Sequence, residues 1–240
     1  MNGQTEQVYQ YIYDLGQDAF LADNLPDIEK VLAETFQRVA YNLNIIFYEL
    51  ENIGYLFKTD FDYNSQRPLV KPLPDTEELL VKLESAIRPF GYVPLSLKMF
   101  YRIVGACNFG WDYDTNEEYI WQFADPIQIF SLDDVVSEVT SGDFLSQLRE
   151  YYEEDGYITL QLSADYFQKD NTSGGPAYSL KVTAQKSIDA AFLNEEHGST
   201  FINYLRICFD NCGFSRIKNH ENNNSYQLFF NKVKPKLKPI

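Results

Sequence analysis

Cysteine and histidine are scarce in this sequence. Its 240 residues include three cysteines, Cys107, Cys208 and Cys212, and two histidines, His197 and His220. Three cysteines are too few, and odd in number, for a disulfide framework, so the cytoplasm is the expected location. A structural zinc takes about four ligands, and neither a CxxC pair nor an HxxxH pair occurs. We expect no metal and no cofactor.

Long apolar runs are missing as well. No run approaches the roughly 18 apolar residues that span a bilayer. The first six residues have no basic segment with an apolar stretch behind it, as a secretory signal would. The sequence therefore indicates neither a membrane partner nor export.

Basic residues are outnumbered, with 20 Lys and Arg against 35 Asp and Glu, for a formal charge of −15. This balance argues against nucleic acid as a partner, because binding to phosphates needs cations. The carboxylates are also clustered, since 13 acidic residues and one basic residue lie between Asp112 and Asp155. Two interpretations stay open: a solvated acidic surface, or a face that is complementary to a basic protein.

The apolar residues predict a folded chain with one long helix. Hydrophobic residues make up 45% and aromatic residues 16% of the sequence, which is typical of a globular protein. Spacings of three and four place one series on a single helical stripe. The series is Ile28, Leu32, Phe36, Val39, Leu43, Ile46, Leu50 and Ile53. The stripe needs a partner surface, from the first helix, from the main domain or from a second copy in a coiled coil.

The order of elements predicts an α+β fold, because helices cluster early and strands late. We expect an antiparallel or mixed sheet packed by helices, with an N-terminal helical hairpin as an extension. Residues 1–57 form that helical segment, and residues 58–75, with three prolines, form a linker. Residues 76–230 form the α+β domain. The basic tail, 231–240, is expected to be disordered.

Local patterns predict the individual elements. Helices are expected at 7–21, 28–53, 76–90, 95–104, 131–139, 144–152 and 200–211. Strands are expected at 119–123, 127–130, 158–162, 177–183, 188–193 and 226–230.

The polar loop between the strands 158–162 and 177–183 is the first candidate site. Its candidate binding residues are Asp165, Lys169, Asn171, Ser173, Gly174 and Gly175. The two glycines would let the backbone approach a ligand closely, and His197 could contribute from elsewhere. The loop is not a phosphate-binding P-loop, because no Gly-Lys-Ser/Thr opens a helix. A plain hairpin connection is the alternative.

A cluster of aromatic residues among carboxylates is the second candidate. Its candidate binding residues are Trp111, Asp112, Asp114, Glu117 and Glu118. Aromatic side chains beside carboxylates are typical of surfaces that bind basic proteins. Trp121 fits the core better, whereas Trp111 fits either role.

Several short motifs carry a family resemblance over roughly Gly91 to Phe214. They are Pro94-Leu95-Ser96-Leu97, Phe100-Tyr101, Val104-Gly105, Asn108-Phe109, Asp125-Pro126, the Lys-x-Asn-x-Ser-Gly-Gly loop from Lys169, Glu196-His197-Gly198, Thr200-Phe201, Tyr204-Leu205-Arg206 and Gly213-Phe214. This pattern resembles a group of uncharacterised bacterial proteins and, more distantly, the SUKH superfamily. The resemblance implies an α+β domain that binds proteins, often as an immunity protein against a secreted toxin. Gln168 stands where the pattern has His, which weakens a catalytic role for the loop.

These observations favour a non-enzymatic, acidic module that neutralises a basic protein such as a toxin. The alternative is a small-ligand-binding protein or a hydrolase that uses the loop 165–175. An assembly role for the long helix is a third hypothesis. The sequence leaves the oligomeric state unknown.

Overall fold

The computed structural model describes residues 2–58, 68–113, 116, 121, 124–172, 174–217 and 223–240. Nine α-helices are described: α1 Asn2–Asp14, α2 Leu25–Asn52, α3 Thr76–Ile87, α4 Leu95–Ile103, α5 Leu132–Thr140, α6 Gly142–Asp155, α7 Tyr166–Lys169, α8 Phe201–Asp210 and α9 Asn224–Val233. Short 3-10 helices cover Gly16–Phe20 and Lys234–Lys236. Among these residues no helix is both long and apolar enough to cross a membrane.

Eight short strands form three small antiparallel sheets in the described part of the chain. The strands are β1 Leu69–Val70, β2 Ala106–Asn108, β3 Asp125–Pro126, β4 Gln128–Ile129, β5 Thr159–Ser163, β6 Tyr178–Lys181, β7 Phe192–Leu193 and β8 Phe214–Arg216. The sheet orders are β1-β2-β4, β3-β8 and β5-β6-β7. The predicted α+β class is confirmed, with the strands divided among separate sheets that helices surround.

The long helix α2 follows the predicted stripe. All of its stripe residues from Ile28 to Leu50 are buried, whereas Ile53 is 42% exposed just beyond the helix end. Phe36 meets Phe100 of α4 edge-to-face, with ring centroids 6.1 Å apart. The stripe therefore packs within its own chain, so it is not free to form a coiled coil with a second copy.

The predicted N-terminal segment and the predicted main domain share one hydrophobic core. It includes Ile12 of α1, Leu43 of α2, Leu83 of α3 and Phe201 of α8. Half of the predicted linker 58–75, residues 59–67, lies outside the described residues, and its other half contains β1. Pro68 follows them and leads directly into β1.

The hairpin that surrounds the candidate loop forms as predicted. β5 pairs with β6 in antiparallel register, with Leu160 opposite Leu180 and an irregularity between Gln161 and Ser163. Next along the chain, β7 pairs with β6, and α8 closes the unit. The strand predicted at 119–123 lies mainly outside the described residues.

The C-terminal residues correct two predictions. The expected strand 226–230 is part of the helix α9, with Tyr226, Phe229 and Val233 buried on one face. The expected disorder of 231–240 is also wrong, because Lys236 pairs with the buried Glu49 at 2.5 Å and Ile240 is 5% exposed. Burying the Glu49 carboxylate requires a cation, which the tail supplies.

Candidate functional site

The loop at 165–175 begins with a helix cap. Asp165 Oδ1 accepts hydrogen bonds from the backbone N–H groups of Phe167 and Gln168, at 2.7 and 3.3 Å, and so starts the short helix α7. After α7 the chain turns at Asn171, whose φ is 56°. Positive φ is tolerated by Asn better than by most residues, so Asn171 has a turn-forming role. Ser173 lies outside the described residues.

Gly174 and Gly175 pack against the Asp165 side chain. A Cβ atom at Gly174 would lie 3.1 Å from Asp165 Oδ2, and one at Gly175 would lie 3.6 Å from Oδ1. Asp165 is 4% exposed, and its Oδ2 has no hydrogen-bond partner among the described residues. The glycines therefore allow the chain to close over its own carboxylate.

Lys169, a predicted binding residue, points into the protein. Its Nζ lies 2.8 Å from Asp125 Oδ1, and the two side chains are only 2% and 3% exposed. The ammonium also lies 4.5 Å from the ring centroid of Tyr178. Because its charge is neutralised internally, Lys169 holds the loop in place and is not free to meet a ligand.

Asp125 is the centre of this buried network. Its Oδ2 accepts hydrogen bonds from Tyr178, at 2.9 Å, and from Ser215. Burial, with the Asp125 charge as a second cause, raises the pKa of Tyr178 well above its usual value, so the phenol stays protonated and donates. The contacts join the neighbouring elements α7 and β6 to β3 and β8, which lie far from them in the sequence. We call these four residues, Asp125, Lys169, Tyr178 and Ser215, the inner network.

His197 lies beside the inner network without entering it. Its Nε2 lies 3.0 Å from the backbone oxygen of Ser215, and its side chain is exposed. The backbone N–H of His197 donates to the buried carboxylate of Glu195 at 2.8 Å. Two clefts open among the described residues, one near Arg88 and one near Phe47. Neither is lined by a residue from 165 to 175. The loop and His197 therefore share no cavity in those two places.

The aromatic candidate at Trp111 is a core residue. Trp111 is 1% exposed, its ring lies edge-to-face with Tyr55 at 5.0 Å, and its Nε1 donates to the backbone oxygen of Asn116. Asp112 is 8% exposed and lines the cleft near Phe47. Of the two roles that the sequence leaves open for Trp111, the structure shows packing in the core. Asp112, predicted as a binding residue, is buried beside it. Three further candidates, Asp114, Glu117 and Glu118, lie outside the described residues.

Most of the exposed carboxylates described in the acidic segment 112–155 lie on α6; Asp133 of α5 is the other. Ser141 caps this helix by accepting from the N–H of Phe144 at 3.4 Å, and Gly156, with φ 74°, ends it. Leu148 is buried against α5, and Glu150, Glu153 and Glu154 are exposed. At about 100° per residue all three lie on the half of the helix opposite Leu148. We call these three residues the α6 acidic face.

Tyr151 adjoins this face, whereas Tyr152 and the fourth carboxylate, Asp155, lie on the Leu148 side of the same turns. Tyr151 is 51% exposed, and Tyr152 is 38% exposed with its ring 5.5 Å from that of Phe90. Asp155 ends the helix and is exposed. Within the described part of the chain, none of the four carboxylates of α6 from 150 onward forms an ion pair.

The position of these charges is unfavourable for the helix itself. The C-terminal end of a helix carries partial negative charge, and α6 has no basic residue in its last turn. Glu150 also repels Glu153 and Glu154, three and four residues further on. The neighbouring α5 shows the favourable arrangement, since Asp133 and Asp134 lie in its first turn.

The candidate residues named from the sequence lie at the start of the acidic segment 112–155, whereas the α6 acidic face lies at its end. The predicted helix 144–152 stopped before Glu153, so the crowding of carboxylates in the last turn was overlooked. That run, Glu-Glu-Asp directly before Gly156, was the signal that could have identified the face.

The cysteines and the candidate metal ligands are explained by packing. Cys107, Cys208 and Cys212 are all buried, and burial raises the pKa of Cys107 and of Cys212 to about 12. Both thiols are therefore protonated at neutral pH and behave as small apolar groups. Among the described residues no group of His, Cys, Asp and Glu is arranged to hold a metal ion.

Comparisons with family models, with curated proteins and with solved structures found no match. The resemblance to SUKH proteins therefore stays a prediction.

Proposed function

We propose that this protein is a protein-binding module that presents the α6 acidic face to a basic protein. The observation that carries the proposal is the set of three exposed glutamates on one side of the last turns of α6. Arg149 precedes them in the helix, but none of the three forms an ion pair among the described residues. A basic partner would supply those cations and relieve the repulsion.

Exposed aromatic side chains support the same role. Tyr151 is 51% exposed beside the glutamates and offers apolar area at small conformational cost, and Tyr152, further round the helix against Phe90, is 38% exposed. The likeness to the SUKH superfamily favours a secreted basic toxin, such as a nuclease, as the class of partner. Neutralisation would then consist of covering the basic surface that the toxin uses on its own substrate.

The inner network gives the alternative function less support. Catalysis by the 165–175 loop would need Lys169 or Asp165 to meet a substrate. Lys169 is 2% exposed in its side chain and is paired with Asp125. We therefore assign the loop a structural role in this proposal.

Capture from the native host tests the proposal. The wild type is compared with the variant E150Q/E153Q/E154Q and with a matched control, D23N/E51Q/E78Q, which removes three exposed carboxylates elsewhere. We expect one or a few basic proteins to bind the wild type and the control but not the first variant, with binding that weakens as salt rises. Recovery of the same proteins by all three chains would contradict the proposal, as would the absence of any basic protein. A toxin gene beside this gene would identify the partner to test first.

A further inference from the structure

A cleft of about 510 Å³ opens where the N-terminal helices meet α3, α4 and the segment 183–187. Its volume lies within the roughly 300–1,000 Å³ that is typical of small-molecule sites. Such sites are common where two parts of a protein meet, as they do here.

The charge of the cleft is opposite to that of the protein. Its walls carry four cations, Arg88, Lys98, Arg102 and Lys186, and two carboxylates, Glu29 and Glu84, whereas the whole chain has a formal charge of −15. The lining residues have an excess of two positive charges, which falls to one when Glu77, the partner of Arg102 outside the lining, is counted. A concave surface of one sign concentrates ligands of the opposite sign.

Two of the four cations are engaged with the protein. Lys98 pairs with Glu84 at 2.7 Å, and Arg102 pairs with Glu77 at 2.8 Å. Both lie on α4, four residues apart, so they face the cleft together. These pairs fix the wall that α4 contributes.

The other two cations are available. Among the described residues, neither the guanidinium of Arg88 nor the ammonium of Lys186 has a carboxylate within ion-pair distance. The guanidinium of Arg88 lies 4.4 Å from the centroid of the Tyr92 ring, and both residues line the cleft. A guanidinium held in this way keeps its N–H donors for an anion.

The backbone brings Arg88 and Lys186 to one cleft. The N–H of Tyr92 donates to the backbone oxygen of Thr183 at 2.9 Å, which joins the segment after α3 to the segment 183–187. Gly91 makes this approach possible, because a Cβ atom there would lie 2.4 Å from Thr183 O. Any larger residue at 91 would push the two segments apart.

We infer that this cleft binds a small organic phosphate. A phosphomonoester carries close to two negative charges at neutral pH and would pair with the two available cations, on the side of the cleft away from the carboxylate of Glu29 on α2. Phe20, Leu25 and Val93 form an apolar wall that suits a hydrophobic group attached to the phosphate. The inference is independent of the role proposed for α6.

Calorimetric titration of the full chain with phenyl phosphate tests the inference, because this probe joins a phosphate dianion to one aromatic ring. We expect binding with a Kd below about 1 mM, and weaker binding of inorganic phosphate, which makes no use of the apolar wall. In R88Q/K186Q the affinity for phenyl phosphate should fall at least ~10-fold, since charge-assisted hydrogen bonds are lost. The matched control K82Q/R149Q, which removes two exposed cations outside the cleft, should keep the wild-type affinity.

Three outcomes would overturn the inference. They are no heat of binding at about 10 mM phenyl phosphate, an equal loss of affinity in the control variant, and benzoate or benzyl alcohol binding as tightly as phenyl phosphate. Circular dichroism of both variants verifies that they fold. Because Arg88 and Lys186 are exposed, we expect their replacement to leave the fold intact.

Discussion

The carboxylate of the inner network and the carboxylates of the α6 acidic face differ in burial and in pairing. Asp125 is buried, and it accepts hydrogen bonds from a lysine ammonium, a phenol and a serine hydroxyl. Glu150, Glu153 and Glu154 are exposed, and no cation of the described chain pairs with them. A buried charge needs partners within the chain, because its desolvation is costly. An exposed charge is solvated by water and can pair with a second protein. The comparison separates carboxylates that hold the fold from carboxylates that are free for binding.

Removing the cation of the inner network should have the largest effect on stability. Lys169→Met leaves the Asp125 carboxylate buried without a counter-charge, which should lower the free energy of unfolding by about 3–5 kcal/mol. Urea denaturation measures the loss, and the exposed Lys82→Met is the control, expected within about 0.5 kcal/mol of the wild type.

A double variant decides whether the loss comes from the orphaned charge. Lys169→Met combined with Asp125→Asn removes both charges and should recover part of the stability. A loss below about 1 kcal/mol in the single variant would mean that the pair does not hold the loop.

Asp189 is a buried carboxylate of a third kind, because it accepts hydrogen bonds from neutral donors. It accepts hydrogen bonds from Tyr9 at 2.7 Å, from Ser96 at 2.7 Å and from the N–H of Ile202 at 3.0 Å. Burial raises the pKa of Asp189 above its ordinary value of 3.8. The folded state therefore binds the proton more tightly than the unfolded state, and Asp189 stabilises the fold most at low pH.

The variant Asp189→Asn cannot titrate, so it exposes this effect. The free energy of unfolding of the wild type, minus that of the variant, should fall as pH rises from about 3 to about 7. The fall is about 1.4 kcal/mol for each unit by which the pKa is raised. Urea denaturation across this range measures the difference. If the difference grows with pH, Asp189 is stabilised as the charged form.

The helices were predictable wherever one face is apolar over several turns. The stripe from Ile28 to Leu50 predicted α2, and the pattern at 200–211 predicted α8 within a residue at each end. The C-terminal helix was missed because Tyr226 to Phe230 is short and aromatic, which suits a strand equally well. Extending the pattern to Val233 reveals the helical spacing.

The candidate sites were predictable only as stretches of sequence. Asp165 and Lys169 were predicted as binding residues of one loop, but the partner of Lys169 is Asp125, 44 positions away, and no local pattern pairs the two. In the same way, the burial of Trp111 depends on its contact with Tyr55, from the end of α2. Packing between distant parts of the chain decides which polar residues face inward. These contacts leave no local pattern in a single sequence.

The α6 acidic face gives the smallest expected effect on stability and the most direct test. In the absence of a partner, the free energy of unfolding of E150Q/E153Q/E154Q is measured against that of the wild type. We predict that it is unchanged or higher by up to about 1 kcal/mol, because repulsion within the last turns is relieved. A loss of more than about 1 kcal/mol would show that these glutamates hold the fold, and would contradict their assignment to a partner.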